Sequence, residues 1–269
     1  MSRVAVGLEY DGTAFSGWQY QPHARTVQGE LQSALARVAA HPVLLTAAGR
    51  TDAGVHAFAQ VAHFETSVER TERAWVYGAN SEAAADVRVL WARPVADDFH
   101  ARYSALSRTY RYLILDTPLR PSLDRNRVCW SRRPLDAVAM HAAAQVFAGE
   151  HDFAAFRASE CQSKSTVRRV LAIEVARETG LIAVSVRANA FLHHMVRNLA
   201  GALIAVGTGD RNEDWLREVL DSRDRTRAGV TAPAQGLYFT AVEYPGDCGL
   251  PSVEASREAR VWLAATSRV

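Results

Sequence analysis

The feature that most constrains this chain is an order of hydrophobic patterns that occurs twice along it. In the first part, alternating apolar residues indicate strands, and apolar residues one helical turn apart indicate helices, in the order β-α-β-β-α-β. The second part gives the same order with one additional helix. Because this order is typical of the ferredoxin-like, split-βαβ pattern, we expect an α+β protein made of two ferredoxin-like halves. We expect a mostly antiparallel, mixed sheet with helices on one side and a cleft that carries the functional site.

Capping residues, helix breakers and turn residues set the limits of these elements. Thr26 can cap the first helix, and Pro42 ends it. We place the first half at residues 1–104, the second half at 105–246 and a tail at 247–269. The predicted helices cover Val27–Val38, Thr71–Ala79, Pro134–Phe147, Phe191–Val206 and Glu213–Leu220; the predicted strands cover Val4–Leu8, Val43–Leu45, Phe58–Phe64, Val87–Trp91, Thr109–Leu115, Leu237–Val242 and a hairpin of Val167–Val175 and Leu181–Val186 around Thr179-Gly180.

Positive charge is concentrated in one stretch of the chain. All but one of the 31 basic residues are arginines, and Lys164 is the exception. Eight arginines lie between Arg102 and Arg133, where only Asp116 and Asp124 carry negative charge. Arginine presents a planar fork that fits phosphate and stacks on bases, so the stretch is compatible with a face that binds RNA or DNA. A solvated surface is the more common explanation of any one basic run.

The sequence gives no sign of secretion, of a membrane span or of a disulfide framework. No stretch approaches the ~18 consecutive apolar residues that a membrane span needs. The first residues run directly into a strand pattern, without the basic and apolar regions of a signal peptide. Cys129, Cys161 and Cys248 are odd in number and widely spaced, so we expect free thiols and no zinc site. We therefore expect a cytoplasmic protein.

The segment from Ala47 to Ala57 has the pattern of a loop that carries chemistry. Gly49 and Gly54 bracket Arg50 and Asp52 between two apolar strands, and glycine allows unusual backbone angles or close backbone approach. An acid held there would be partly desolvated, and a nearby arginine could keep it ionised. An aspartate in a glycine-flanked turn also commonly bonds only its own backbone. The residues alone leave both interpretations open.

This loop, with its G-R-T-D-A-G-V-H core, resembles the signature of the tRNA pseudouridine synthase A family. The sequence departs from the family pattern at Tyr20, where a basic residue is expected, and over Asn80–Val87, which lacks the usual Leu-Pro. Further family-like motifs follow in the expected order between about residues 4 and 245: Tyr10–Gly12, Phe15–Gln19, Asp97–Arg102, Tyr110–Tyr112, Asp152-Phe153, Phe156-Arg157, Cys161–Ser163, Asn189–Asn198 and Ala234–Tyr238.

The resemblance implies an activity and its requirements. Family members isomerise uridine to pseudouridine at positions 38, 39 and 40 of the tRNA anticodon stem-loop. The base leaves its ribose through nitrogen, rotates and rejoins through carbon, so no cofactor is required, and we expect none. We also expect no metal, and the chain has neither a P-loop motif nor H-E-x-x-H. The implied partners are tRNA and a second copy of the chain in a homodimer, without a membrane.

The resemblance also assigns roles to particular residues. Asp52 matches the catalytic aspartate, which acts as a nucleophile or as a base. Arg197 matches its basic partner, and Tyr110 matches the tyrosine that contacts the flipped target base. Substrate-binding roles are implied for Arg50, Tyr110, Phe191, His193 and Leu237.

Two functions of other classes share parts of this pattern. A non-catalytic RNA-binding module is one, because ferredoxin-like sheets also bind RNA through aromatic side chains. Such a module would use Asp52 for affinity alone. The other is a small-molecule hydrolase that uses Asp52 and His56 and acts on free nucleosides without the arginine-rich stretch.

Overall fold

The computed structural model describes residues 1–161 and 163–251. Gln162, which belongs to one of the family-like motifs, and residues 252–269, which make up most of the predicted tail, lie outside the described residues. The contacts divide the described residues into two compact units, one of Met1–Leu106 with residues 238–251, and one of Ser107–Leu237. The predicted α+β class is confirmed, with mostly antiparallel strands and helices on one side of the sheet.

The described elements follow the predicted order. Within residues 1–161 and 163–251, no α-helix is long and apolar enough to cross a membrane. In chain order, the strands are β1 (Ser2–Tyr10), β2 (Thr46–Ala47), β3 (His56–Thr66), β4 (Val87–Val95), β5 (Ser107–Asp116), β6 (Cys129–Ser131), β7 (Gly149–Asp152), β8 (Val167–Glu178), β9 (Leu181–Ala188) and β10 (Leu237–Glu243), and the α-helices are α1 (Val27–Ala39), α2 (Glu72–Glu82), α3 (Ala137–Ala144), α4 (Met195–Gly207) and α5 (Glu213–Ser222).

In the first unit, β1 lies between β3 and β4 and is antiparallel to both. The short β2 is antiparallel to the later part of β3, at His63, whereas β10 runs parallel to the beginning of β3, at His56. This pairing groups the last strand with the first unit. The observed division therefore differs from the predicted halves 1–104 and 105–246, which place that strand in the second half.

Helix α1 shows how the sequence fixes a helix against the sheet of the first unit. The Thr26 hydroxyl accepts the backbone N–H of Gly29 at 3.3 Å, which confirms the predicted cap. Leu31 and Leu35 lie one turn apart and are fully buried. Because burial of a leucine side chain contributes about 1.5–3 kcal/mol, this face of the helix sets its orientation.

In the second unit, β5, β9, β8 and β7 are antiparallel neighbours in that order. Strand β6 pairs in parallel with β5, with Cys129 opposite Ile114. Thr179 and Gly180 both have positive φ (44° and 86°) and close the predicted hairpin of β8 and β9. The sequence does not predict β6 and β7, because three or four residues are too few to show a period.

The helix predicted over Phe191–Val206 begins later, at Met195. His194 has a left-handed backbone (φ 61°), and the N–H of Met195 donates to the carbonyl of Leu192 at 3.0 Å. Phe191 therefore lies outside the helix, ahead of the turn from Leu192 to Met195. The prediction was wrong there because apolar spacing does not distinguish a helix from a turn that leads into it.

The strand predicted to start at Val43-Leu44-Leu45 begins later and is shorter, because the paired strand is the two-residue β2 (Thr46–Ala47). The Gln32 side chain accepts the N–H of Leu45 at 3.0 Å, and the Gln28 side chain donates to the Leu45 carbonyl at 2.9 Å. These side chains of α1 satisfy the backbone groups that a neighbouring strand would otherwise bond.

The helix predicted over Pro134–Phe147 is shorter than expected. Asp136 caps it, and its α-helical part covers Ala137–Ala144. A single 3₁₀ turn, Gln145–Phe147, follows. Pro134 therefore lies ahead of the helix, where its missing N–H costs no intrahelical bond.

The segment Asn80–Val87, which departs from the family pattern, is held by side chains. Asn80 exchanges two hydrogen bonds of 2.8 Å with the backbone of Val89. The Asp86 carboxylate accepts two hydrogen bonds of 2.7 Å from the Arg25 guanidinium. These bonds fix the end of α2 and the start of β4 without the Leu-Pro of the family.

Candidate active site

The loop with the G-R-T-D-A-G-V-H core joins β2 to β3, and we call residues 48–55 the Asp loop. Its first residue remains attached to the sheet, because the N–H of Ala48 donates to the carbonyl of Val61 at 2.8 Å. Its middle is attached to the segment after β1, because the N–H of Trp18 donates to the carbonyl of Thr51 at 2.9 Å. Backbone bonds therefore fix the loop immediately before Asp52.

Asp52 begins a tight turn within the Asp loop. The N–H of Val55 donates to the Asp52 carbonyl at 3.2 Å, and Gly54 has a φ of 79°, which favours glycine. The Asp52 side chain is half-buried, Arg50 is exposed and Val55 is buried. The turn thus holds the Asp52 side chain in a half-buried position.

Two glycines after β1 allow this part of the chain to pack on the Asp loop backbone to backbone. A Cβ added at Gly12 would lie 2.0 Å from the carbonyl oxygen of Val55. At Gly17, where φ is 90°, an added Cβ would lie 2.8 Å from the carbonyl oxygen of Thr51. Since the opposing atoms are backbone atoms, no side-chain rotation would make room. Only glycine fits at these positions.

Buried polar side chains complete the support of the Asp loop. The Tyr10 hydroxyl and the Thr51 hydroxyl lie 2.8 Å apart, and the Gln60 amide donates to the carbonyl of Gly49 at 2.7 Å and to the Tyr10 hydroxyl at 3.4 Å. Burial raises the pKa of Tyr10 to about 12, so this phenol stays protonated. Sequence reasoning did not identify Thr51 or Gln60. The available signal was a polar residue inside the apolar strand Phe58–Phe64.

His56 has a structural position at the end of the Asp loop. Its side chain is 4% exposed, and its Nδ1 accepts the N–H of Gly12 at 3.1 Å. Its ring stacks on Tyr238 with a centroid distance of 4.8 Å. A buried ring whose Nδ1 accepts a backbone bond is poorly placed to activate water, which argues against the hydrolase alternative.

In the second unit, the structure brings Tyr110 and Phe191 together. Tyr110 lies on β5 and is 7% exposed, and its ring meets the half-buried Phe191 edge to face at a centroid distance of 4.9 Å. Leu237 is buried at the start of β10. Tyr110 and Phe191 form an aromatic pair of the kind on which a base can stack.

His193 and His194 precede α4, whereas the predicted helix included both. His193 is exposed, and its carbonyl accepts the N–H of Ala158 at 2.9 Å. The two rings lie side by side, with centroids 4.0 Å apart. Adjacent residues within a helix would point about 100° apart, but the left-handed backbone of His194 turns the two side chains to the same side.

Arg197 lies in the first turn of α4 and is half-buried. Its Nε donates to the carbonyl of Ala232 at 2.9 Å, and the N–H of Ala232 donates to the carbonyl of Arg197 at 3.1 Å. The guanidinium is thus fixed along one edge by a segment 35 residues further along the chain.

Comparison with known proteins agrees with these motifs. The family described as tRNA pseudouridine synthase matches residues 8–104 and 143–245, with Tyr110 between the two matched ranges. A tRNA pseudouridine synthase A of Coxiella burnetii is 51% identical over 251 residues, which cover 93% of this chain and 96% of the relative. The proteins of the same name from Hydrogenovibrio crunogenus (49% over 253 residues; 94% and 97%) and Pseudomonas aeruginosa (50% over 252; 93% and 88%) are similar.

Solved structures give a weaker similarity. The crystal structure of the archaeal box H/ACA sRNP Nop10-Cbf5 complex matches with a TM-score of 0.37 at 13% identity, over 94% of this chain and 53% of that chain. The chain thus spans about half of that protein. The sequence identity and coverage are decisive: the chain belongs to the tRNA pseudouridine synthase family, whose members isomerise uridine to pseudouridine in tRNA.

Proposed function

We propose that this chain isomerises uridine to pseudouridine at positions 38, 39 and 40 of the tRNA anticodon stem-loop. Asp52 acts as nucleophile or base, and the target nucleotide is flipped into a cleft. The observation that supports this most directly is the Asp loop, where a half-buried acid stands on a backbone fixed by Gly12 and Gly17. Such fixed geometry is what a catalytic carboxylate requires.

The reaction is a balanced rearrangement of one nucleotide. The bond from C1′ of the ribose to N1 of the base breaks, the base rotates, and C5 bonds to C1′. The proton on C5 is then lost and N1 gains one, so the product is an isomer of the substrate. Asp52 either adds to the electron-poor sugar or removes a proton next to C1′. Both routes require the carboxylate in its ionised form.

Positive charge keeps a partly buried carboxylate ionised. We assign this role to Arg197, which the family resemblance gives as the basic partner of the catalytic aspartate. Its Nε bond to Ala232 fixes the side chain in one orientation. Arg50 and His193 are exposed and have the chemistry to contact RNA phosphates.

The aromatic pair of Tyr110 and Phe191 supports base flipping. Stacking of a base on an aromatic side chain contributes about 1–3 kcal/mol. This stacking contribution is comparable with the cost of extruding a nucleotide, which is roughly a few kcal/mol. We assign Tyr110 to contact with the target base, its hydroxyl to removal of the C5 proton, and Phe191 and Leu237 to the apolar lining. The homodimeric state and the cytoplasmic location remain part of this proposal.

The Asp52→Asn variant tests the proposal with unmodified tRNA transcripts. It removes the charge and keeps the shape, so we expect no pseudouridine at positions 38, 39 or 40 and tRNA affinity within about threefold of the parent. Asp210→Asn is the matched control, because Asp210 is an exposed aspartate paired with Arg133. Normal turnover by Asp52→Asn would remove Asp52 from the chemistry. Affinity loss as the only effect would favour a non-catalytic RNA-binding module.

A further inference from the structure

Arg225 makes an unusual number of bonds for a residue in a short connection. It begins the 3₁₀ turn after α5 and is half-buried. Its Nη2 donates to the side-chain oxygens of Asn198 (3.1 Å) and Thr231 (2.7 Å), and its Nη1 donates to the carbonyl of Gly229 (2.9 Å). One guanidinium therefore joins α4 to the segment that follows the turn. We call that segment, residues 229–236, the strap.

The strap lies directly against α4. A Cβ added at Gly201 would be 2.0 Å from the carbonyl oxygen of Val230, so the strap backbone touches the helix there. Asn198 is 1% exposed and accepts the Thr231 hydroxyl at 2.7 Å, while its amide donates to the carbonyl of Phe156 at 2.7 Å. The beginning of the strap is thus attached to α4 through both backbone packing and side-chain bonds.

The far end of the strap is attached to β5. The Tyr112 hydroxyl donates to the carbonyl of Pro233 at 2.8 Å. A Cβ added at Gly236 would lie 2.8 Å from the carbonyl oxygen of Leu113. Ala232 therefore lies between two anchored ends, and it is the residue whose carbonyl accepts the Nε of Arg197.

We infer that Arg225 is a positioning residue for Arg197: it holds the strap on α4 and thereby fixes the carbonyl that orients the Arg197 guanidinium. The inference rests on the role proposed above for Arg197. Arg225 does so through three acceptors on two elements, which suits the planar fork of arginine and not the single ammonium of lysine. A displacement of about 1 Å in a catalytic group costs up to about 100-fold in rate.

The test compares Arg225→Ala and Arg225→Lys with Arg227→Ala. Arg227 lies in the same 3₁₀ turn but is exposed and meets only Glu218, at 3.4 Å, among the ion pairs of the described residues. We expect Arg225→Ala to lower kcat on tRNA transcripts about 30-fold, with KM within about twofold and the folded fraction unchanged by circular dichroism. Arg225→Lys should recover only a small part of kcat, and Arg227→Ala should match the parent.

The response of kcat to added guanidinium ion distinguishes a positioning role from a merely structural one. At millimolar concentration it should raise kcat of Arg225→Ala several-fold and leave the parent unchanged. The inference is overturned if Arg225→Ala keeps kcat within about twofold, if KM alone rises, or if the loss follows the unfolded fraction. An absence of guanidinium rescue together with full recovery by Arg225→Lys would also overturn it.

Arg197→Ala, assayed in parallel, separates this inference from the proposed function. If Arg197→Ala is inactive and Arg225→Ala is active, the positioning role fails while the proposed function stands. If Arg197→Ala has the activity of the parent, the role of Arg197 in the proposed function fails, and the inference fails with it. Loss of kcat in both variants supports both.

Discussion

The Asp loop and the strap each fix a functional residue, but they use different means. The Asp loop is held by Gly12 and Gly17, which admit backbone against backbone, and by buried uncharged groups such as Tyr10. The strap also has close backbone contacts, at Gly201 and Gly236, but it depends in addition on the guanidinium groups of Arg225 and Arg197. Backbone contacts cannot adjust to a change, whereas a long side chain can. We therefore expect the Asp loop to tolerate substitution less than the strap.

Among the variants that test this comparison, the largest effect is expected for Gly12→Ala. The new methyl would lie 2.0 Å from the Val55 carbonyl oxygen, so the loop after β1 or the Asp loop must move. We expect kcat to fall at least about 100-fold and the free energy of unfolding to fall by about 3 kcal/mol. Single-turnover assays and urea unfolding measure the two effects. Gly246→Ala is the matched control, since an added Cβ at Gly246 meets no atom within 4 Å. Parent-like kcat for Gly12→Ala would break the comparison.

A smaller effect is expected for Gly201→Ala, which creates the same 2.0 Å contact between α4 and the Val230 carbonyl oxygen. The arginine side chains that share in holding the strap can adjust, and alanine favours a helix over glycine by about 1 kcal/mol. We therefore expect kcat to fall roughly tenfold and the free energy of unfolding to stay within about 1 kcal/mol of the parent value. The same two assays measure both quantities. A loss as large as that of Gly12→Ala would show that the strap is as rigid as the Asp loop.

The smallest effect at neutral pH is expected for substitution of His63. This histidine is a second example, in the first unit, of an uncharged side chain that supports the backbone. Its Nδ1 accepts the N–H of Ala101 at 3.2 Å. Burial, together with the charges of His100 and Arg3, lowers the pKa of His63 to about 4, against the opposing influence of Glu65. An unfolded histidine has a pKa near 6.5, so the unfolded chain binds the proton first as the pH falls. The stabilisation is full above about pH 6.5 and is lost progressively down to about pH 4.

Urea unfolding between pH 7 and pH 4 measures this loss, which we expect to be about 2 kcal/mol. His63→Asn is the matched variant, because its side-chain oxygen can accept the same N–H without titrating. The difference in the free energy of unfolding between the parent and His63→Asn should therefore become smaller as the pH falls. A constant difference between the two proteins over this range would exclude the titration of His63. Arginine does not titrate in this range, so the arginines that hold the strap should contribute nothing to the loss of stability between pH 7 and pH 4.

The Asp loop could be located from the sequence because the motif that resembles the family signature lies in eight consecutive residues, Gly49 to His56. The strap was not, because Asn198, Arg225 and Ala232 are spread along the chain and are common residue types. Only their hydrogen bonds distinguish them. Gln32 is a further example, because its side chain accepts the backbone N–H of Leu45, where a strand was predicted. The partner of such a side chain is known only once the chain has folded.

The order of elements was predictable, and their limits less so. Alternation and helical spacing indicate the type of each long element, but they cannot show that a left-handed residue, His194, interrupts an apolar run. They also cannot show that the last strand joins the first unit, because strand pairing depends on partners far away in sequence.

The pairing of β10 with β3 has a consequence for biosynthesis. Tyr238 lies opposite His56, so about 180 further residues must be polymerised after His56 before its neighbour exists. At 5–20 residues per second, that interval lasts roughly 10–40 s. Throughout this interval, the beginning of β3 lacks its parallel neighbour. An unpaired strand edge of this kind is a surface on which nascent chains aggregate. The parallel neighbour of β3 beside the Asp loop is thus added long after the loop itself, and a translation product that stops before Tyr238 lacks it.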